Sequence, residues 1–269
     1  REVRELLRLI TCEFMKLKRK PLFFASSAVS VLIPLAYALF LSQADNSVDA
    51  VQGMMSSLFQ LSAYMLLMPV TVVLAANLLF EEQDNDTLKN LLCVPVSRAS
   101  LAVAKLLILL IFSVLFMAVG GLLSLVILLL QGWEPVGFLP LFFVGLGEGV
   151  MMWAGALPCV LLVVFLNRSY IISVIITFFY TVINHTLSTN DLFLTQLFGL
   201  NPGTLLPGPL SFRWIFQFYD NSSPSREMAA LLERISPYFV SGVQAFGVVL
   251  TEAVIFTTLI AWAYGRKRD

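Results

Sequence analysis

The chain has 269 residues, of which 58% are hydrophobic and only 13% are charged, and its formal net charge is zero. Its mean hydropathy is +0.86. A soluble domain of this size cannot cover so much apolar surface, whereas a bilayer requires it, so the composition excludes a soluble domain and predicts a polytopic membrane protein.

The first 20 residues are predicted to form an interfacial helix. Apolar residues recur at three- and four-residue spacing and Lys and Arg occupy the other faces, so this helix is expected to lie among lipid headgroups. The apolar residues are Val3, Leu6, Leu7, Ile10, Phe14 and Leu17. Pro21 ends this helix before the first span. Two roles remain open: an anchor that sets topology, and a surface that docks a partner.

Six stretches are long and apolar enough to cross a bilayer, which takes about 20 mostly apolar residues. They are 22–42, 57–80, 104–130, 139–166, 170–187 and 242–264. The fifth is short and the third and fourth are long, so tilted helices or interfacial ends are expected there. We therefore expect an all-α fold in which residues 1–269 form a single transmembrane domain.

The distribution of basic residues predicts the orientation. If the N-terminus is cytoplasmic, only Arg213, Arg226 and Arg234 of the 17 Lys and Arg residues lie outside, all in the long loop 188–241. The two short outer loops then contain no Lys or Arg, as the positive-inside rule requires. Both termini and the segment 81–98 are therefore expected on the cytoplasmic side.

The segment 81–98, between the second and third spans, is patterned like a short polar helix. Residues 84–86 offer capping side chains, Leu88, Leu91 and Leu92 form one apolar stripe, and Pro95 ends the helix after two to three turns. Ser97 is placed to cap the next helix. Such a helix is expected to lie across the cytoplasmic mouth and to contact another protein; an ordinary amphipathic loop helix is the alternative.

Two carboxylates, Glu148 and Glu252, lie inside predicted spans. A charge at the centre of a spanning helix costs about 2.5–3.5 kcal/mol on insertion scales, so each is a functional candidate. Both lie about ten residues from the outer end of their span, which is a depth of roughly 15 Å, and they could line one cavity. Glu148 stands among Gly145, Gly147 and Gly149, which let another helix approach closely. The alternative is a protonated or internally satisfied side chain.

The outer loop 188–241 combines breaker residues with an aromatic patch and a predicted helix from Ser225 to Ile235. We place Trp214 and Phe216 of this patch on a substrate path with the two carboxylates. For any single ring, an aromatic belt at the membrane surface is the simpler explanation.

The sequence carries no catalytic or metal-binding motif. His185 is the single histidine, and no Gly-x4-Gly-Lys-Ser/Thr P-loop occurs. We therefore expect a non-enzymatic chain that binds no cofactor of its own, so energy for transport against a gradient must come from a partner protein or an ion.

The layout resembles the permease subunits of bacterial ABC transporters of the second exporter type. Their coupling region commonly reads Glu, a few residues, Gly-Thr-Leu, Leu-Leu and Pro-Val-Ser-Arg. The matching residues here are Glu82, Thr87, Leu88, Leu91, Leu92, Pro95, Val96, Ser97 and Arg98, with Asp86 where Gly is usual. Glu13 to Arg19, before the first span, also looks like the family. Size and style look most like the subgroup that serves lantibiotic immunity and peptide-antibiotic (bacitracin-type) resistance.

The resemblance implies an exporter driven by ATP in a bacterial plasma membrane. Two separate ATPase subunits, which hold the ATP and Mg, would dock on the coupling helix, and a second permease subunit, the same or different, would complete the complex in the lipid. Nucleic acid is not an expected partner. The residues implied in docking are Glu82, Thr87, Leu88, Leu91, Leu92, Pro95 and Arg98. Two other functions are weighed against this one: an ion-coupled secondary transporter using Glu148 and Glu252, and a membrane sensor or anchor that transports nothing.

Overall fold

A computed structural model describes residues 2–18, 21–84, 97–166, 170–219 and 226–266 of the chain. Within these ranges every regular element is helical, as the sequence predicts. The longer helices are α1 (Glu2–Lys18), α2 (Pro21–Ala38), α3 (Ser47–Ser57), α4 (Met68–Asp84), α5 (Arg98–Leu130), α6 (Phe138–Phe165) and α7 (Tyr170–Ser188). They are followed by α8 (Asp191–Leu194), α9 (Pro202–Leu205), α10 (Pro207–Ile215), α11 (Arg226–Ile235) and α12 (Gly242–Arg266).

Five helices in the described ranges are long and apolar enough to cross a membrane: Phe23–Gln43, Ser47–Phe80, Arg98–Leu130, Phe138–Phe165 and Gly242–Arg266. They correspond to the predicted spans 22–42, 57–80, 104–130, 139–166 and 242–264. The predicted fifth span, 170–187, corresponds to α7, whose apolar part Val174–Ser188 is a shorter helix. The structure thus supports five of the six predicted spans by length and hydropathy.

The second of these helices is longer than the sequence predicted. It begins at Ser47 because the Asn46 side chain caps it, accepting a hydrogen bond from the Asp49 backbone N–H at 2.9 Å. The helix runs through α3, a π-helical segment (Leu58–Leu67) and α4 without a break. A hydropathy window cannot detect the first ten residues because their apolar side chains alternate with Ser, Asp and Gln.

The start of α5 agrees with the sequence. Ser97 accepts a hydrogen bond from the Ser100 backbone N–H at 3.0 Å and so caps the helix, as predicted. A helix is also present near the N-terminus, as predicted: α1 packs along α5 with Leu17 fully buried. Its position among lipid headgroups stays a prediction.

Helix α6 lies at the centre of the bundle. It packs against α4, α5, α7, α10, α12 and the π-helical segment. Of its most apolar stretch 72% is buried, against 22% for the first span and 28% for the last. A residue at mid-height on α6 therefore faces protein, whereas much of α2 and α12 is free to face lipid.

Residues 189–219 and 226–241 form a cap over one end of the bundle. The cap comprises α8 to α11 with two short 3-10 turns, and α10 packs on α6, α7 and α12. We call this the cap end. The opposite end, where α4 ends and α5 begins, is the base.

Candidate functional site

A pocket lies at the cap end between the π-helical segment, α6 and the cap. Its free volume is small, about 10 Å³, which is enough for about one water molecule. It is lined by Phe59, Gln60, Tyr64, Glu148, Phe212, Ile215, Phe216 and Tyr219. Five of these eight side chains are aromatic and only Glu148 is acidic. The structure thus brings two sequence-predicted site residues, Glu148 and Phe216, to one pocket.

Glu148 has no hydrogen-bond partner within the described part of the chain. Its side chain is 0% exposed, and neither carboxylate oxygen has a donor within reach there. A buried charge without a partner is costly, so native structures normally pair it. An unsatisfied carboxyl group that lines a pocket therefore marks the pocket as a place for a ligand or a proton.

Three glycines hold the neighbours of Glu148 close to α6. A Cβ on Gly145 would lie 3.0 Å from the Phe59 ring, one on Gly147 would lie 2.7 Å from the Trp214 ring, and one on Gly149 would lie 2.9 Å from the Ser113 carbonyl oxygen. The sequence predicted close approach by another helix. The structure shows three separate approaches: by the π-helical segment, by the cap and by α5.

The π-helical segment supplies one wall of the pocket and the link to the cap. The Tyr64 hydroxyl donates to the Gly208 carbonyl oxygen at 2.9 Å and also contacts the Ser211 hydroxyl. Tyr219 in turn hydrogen-bonds Ser56, just before the segment. Runs of π-helix are rare and occur frequently at functional sites. Here the wider turn lies where the second spanning helix contacts the cap.

The cap side of the pocket is built from stacked rings. Phe212 and Phe216 stack with centroids 4.0 Å apart, and Tyr219 lies 5.1 Å from Phe216. Burial raises the pKa of the Tyr219 hydroxyl above its ordinary value, so this group remains a neutral donor.

Trp214 does not line the pocket. It lies over Gly147 and contacts Phe246 of α12 edge-on, with ring centroids 5.2 Å apart. Phe212, Trp214 and Phe216 are each at least 94% buried, so the membrane-surface belt is wrong for these three rings. They pack the cap onto the bundle.

Glu252 lies elsewhere. It is half-buried on α12, beside the buried Ala253 and the exposed Val254, and it is not among the residues that line the Glu148 pocket. Equal depth in the membrane therefore does not bring the two carboxylates to that pocket.

The predicted docking residues Thr87, Leu88, Leu91, Leu92 and Pro95 lie outside the described residues. Glu82 lies in the last turn of α4, and Arg98 is half-buried at the first position of α5. The described structure therefore places the two ends of the segment at the base and leaves its centre as a prediction.

The helices that flank this segment are tied together by two buried polar side chains. The Lys105 ammonium of α5 donates to the Leu78 carbonyl oxygen at 2.5 Å, and the Tyr264 hydroxyl of α12 donates to the Leu79 carbonyl oxygen at 3.0 Å. Lys105 is 1% exposed and Tyr264 is 2% exposed. The base therefore joins α4, α5 and α12.

Sequence reasoning did not single out Tyr64, Lys105, Arg213 or Tyr264 as site residues. A signal existed for Lys105, because a cation seven residues into a long apolar helix is as unusual as a buried Glu. A similar signal existed for Arg213, which stands within the aromatic patch. The two tyrosines gave none, because each bonds a carbonyl more than 140 residues away along the chain.

A family model described as "ABC-2 family transporter protein" matches residues 9–184, which is more than half of the chain. The match extends from α1 through most of α7 and includes the segment 81–98 and Glu148. Comparison with curated proteins found no match. Members of this family are membrane subunits of ABC transporters, generally without catalysis of their own, and they work with ABC ATPases. The all-helical fold and the apolar helices agree with this, and the chain belongs to the ABC-2 family of multi-pass membrane transport proteins.

Proposed function

We propose that this chain is the membrane-spanning permease subunit of an ATP-driven exporter in a bacterial plasma membrane. Both termini lie in the cytoplasm, and two ATPase subunits, which hold the ATP and Mg, dock on a pair of permease subunits. The cargo consists of peptide antibiotics or lipid-associated amphipathic molecules, so the complex confers resistance or immunity.

The observation that carries the proposal is the pair of hydrogen bonds that joins α4 to α5 and α12 at the base. The second spanning helix leads directly into the coupling segment. The carbonyls of Leu78 and Leu79, near the end of this helix, accept hydrogen bonds from Lys105 of α5 and Tyr264 of α12. A push on segment 81–98 therefore moves three spanning helices together. The same helix carries the π-helical segment at its other end, so the movement reaches the pocket.

In this proposal the residues have two tasks. Glu82, Thr87, Leu88, Leu91, Leu92, Pro95 and Arg98 contact the ATPase. Glu148, Glu252, Trp214 and Phe216 belong to the path of the cargo. The pocket supports this assignment for Glu148 and Phe216, which line it, and for Trp214, which packs against Gly147 beside it.

Copurification tests the docking. Replacing Leu88 and Leu91 together with Asp places two charges in the apolar stripe, so the ATPase should no longer copurify with the chain. The matched control is the same double change at Leu197 and Leu200 in the cap, which are 77% and 95% exposed; it should retain the ATPase. Retention of the ATPase by the Leu88/Leu91 variant would overturn the proposal.

A flux measurement separates the proposal from ion-coupled transport. Under the proposal, transport by reconstituted complex requires ATP, and Glu148→Gln alters transport while the ATPase still docks. A flux that needs no ATPase, depends on a proton gradient and is abolished by Glu148→Gln would instead identify a secondary transporter.

A further inference from the structure

The space beside Glu148 has the size and the polar surroundings that one buried water molecule requires. Its free volume is about 10 Å³. A buried water needs about 10–15 Å³ of such space and two to four polar partners. Glu148 supplies two polar atoms, because both of its carboxyl oxygens are buried and have no hydrogen-bond partner within the described part of the chain. The space therefore suits a water molecule and is too small for an organic ligand.

Two further polar side chains line the same space, Gln60 from the π-helical segment and Tyr219 from the cap. Both are held by Ser56. The Gln60 amide nitrogen donates to the Ser56 hydroxyl at 3.1 Å, and the Tyr219 hydroxyl is hydrogen-bonded to it as well. With its nitrogen bonded in this way, Gln60 has its amide oxygen available to accept a hydrogen bond from a water molecule.

The surroundings of Glu148 favour the neutral acid over the carboxylate. No Lys, Arg or His lines the space. Arg213 of α10 donates to two carbonyl oxygens of the cap, His185 of α7 lies against Tyr64, and Lys105 of α5 donates to a carbonyl at the base. Within the described ranges, the helices around α6 thus bring no counter-ion to this carboxyl. A buried carboxylate without a counter-ion costs far more than a neutral carboxyl whose hydrogen bonds are made.

A single water molecule can satisfy both oxygens of a neutral carboxyl group. The acid O–H donates to the water, and the water donates one hydrogen back to the carbonyl oxygen of the same group. The second hydrogen of the water remains for the Gln60 amide oxygen. The water then makes three hydrogen bonds, which is the usual number for a buried water.

We propose that Glu148 is a neutral carboxylic acid whose two oxygens bind one water molecule, and that this water bridges α6 to Gln60 of the π-helical segment. The proton and the water together satisfy the two carboxyl oxygens without a counter-ion. The site is a property of the chain itself, so it depends neither on the ATPase nor on the cargo of the proposed exporter.

Infrared difference spectroscopy on the purified full chain near neutral pH tests the charge state. The spectrum of the wild type minus that of Glu148→Gln should contain the carbonyl band of a protonated carboxyl group. The matched control is Glu134→Gln, the same chemical change at an exposed residue in the loop before α6. An exposed Glu is ionised at this pH, so the control difference should contain carboxylate bands only. Carboxylate bands alone in the Glu148→Gln difference would overturn the proposal.

Water-edited solid-state NMR on the wild-type chain in lipid bilayers tests the bound water. The Glu148 carboxyl signal is identified by its loss in Glu148→Gln. Magnetisation should pass from water to this carbon faster than to the methyl group of Met152, which is equally buried one turn further along α6 but does not line the space. Equal rates of transfer to the two groups would overturn the water site.

One further variant tests the bridge to the π-helical segment. Gln60→Met keeps the length of the side chain and removes its amide, so the water loses an acceptor and the acid carbonyl band should shift. Gln131→Met is the matched control, because Gln131 is exposed at the end of α5 and bonds the Ala38 carbonyl oxygen. The control should leave the band in place. An unchanged band in Gln60→Met would overturn the bridge.

Transport by Glu148→Gln separates this proposal from the export function. A protonated-acid band and a bound water, together with wild-type transport in Glu148→Gln, would uphold the water site and remove Glu148 from the path of the cargo. Altered transport with carboxylate bands alone in the difference spectrum would do the reverse.

Discussion

The two ends of the bundle contain the same two kinds of buried hydrogen bond, but those bonds join different parts of the molecule. Among the described residues, each end has a fully buried cation that donates to the backbone: Arg213 at the cap end to two carbonyls, and Lys105 at the base to one. Each also has one buried tyrosine whose hydroxyl bonds a distant carbonyl, Tyr64 at the cap end and Tyr264 at the base. The partners of these groups differ, and that difference separates the roles of the two ends.

At the base, the buried cation and the buried tyrosine both join spanning helices to one another. Lys105 and Tyr264 donate to successive carbonyls, those of Leu78 and Leu79, in the helix that leads into the segment 81–98. At the cap end Arg213 bonds only residues of the cap, and Tyr64 alone of the four joins the cap to a spanning helix. The base is therefore joined by hydrogen bonds between spanning helices. In the cap the buried cation links parts of the cap to one another, and the cap is attached to the bundle by the Tyr64 hydrogen bonds and by packed rings such as Trp214.

The largest loss of stability is expected when the hydrogen bonds that Arg213 makes within the cap are removed. Arg213→Met deletes two charge-assisted hydrogen bonds and leaves the Gly203 and Tyr238 carbonyls buried without them, which should cost about 3 kcal/mol. Hydrogen exchange of residues 202–215 should accelerate sharply while residues 98–130 stay protected.

A second arginine of the cap is the matched control for this change. Arg234 pairs with Asp191 at 2.5 Å, but its side chain is 57% exposed, so Arg234→Ala should cost less than about 1 kcal/mol. If the two variants exchanged alike, burial of Arg213 would not be what holds the cap together.

An intermediate effect is expected at the base. Lys105→Met removes the ammonium group and leaves the Leu78 carbonyl without this donor, at a cost of about 1.5–3 kcal/mol. The consequence should be uncoupling as well as loss of stability: the complex retains ATP hydrolysis but transports less cargo per ATP.

The control for Lys105 is Lys16→Met on α1. Lys16 is 50% exposed, but its partner Glu13 is 5% exposed, so the change should cost about 1–3 kcal/mol while leaving the contacts of the base, and hence transport per ATP, unchanged. Normal transport per ATP in Lys105→Met would show that the base does not carry movement from the coupling segment.

The comparison also shows what the sequence could and could not predict. The spans were predictable because lipid requires long apolar helices, and hydropathy measures length and polarity directly. Glu148 could be singled out as a candidate because a carboxyl inside a span is costly wherever it lies. Its role stays a prediction. The start of α5 was predictable because Ser97 supplies a local cap.

The features that the sequence did not predict depend on which face of a helix a residue occupies, and on contacts between residues that are far apart in the chain. Glu148 and Glu252 have similar depth, but depth does not determine which face of a helix a residue occupies, so only Glu148 lines the pocket. The π-helical segment has no hydropathy signature, because its residues are as apolar as those of the flanking α-helices. The rings of the cap resembled a membrane belt because a sequence window does not show that they are buried against α6 and α12.

The smallest losses of stability are expected from Tyr→Phe, made separately at Tyr64 and at Tyr264. This pair of variants also compares the two ends most directly. Tyr64→Phe and Tyr264→Phe each remove one hydroxyl and one hydrogen bond to a carbonyl, which should cost about 1 kcal/mol and raise local exchange rates by about fivefold. In Tyr64→Phe the increase should appear in residues 202–215 of the cap, because the hydroxyl bonds both Gly208 and Ser211 there. In Tyr264→Phe it should appear in residues 78–84, with the pocket unaffected. If either substitution raised exchange rates at both ends, the cap and the base would be one cooperative unit, and the distinction between a base joined across spanning helices and a cap braced within itself would be wrong.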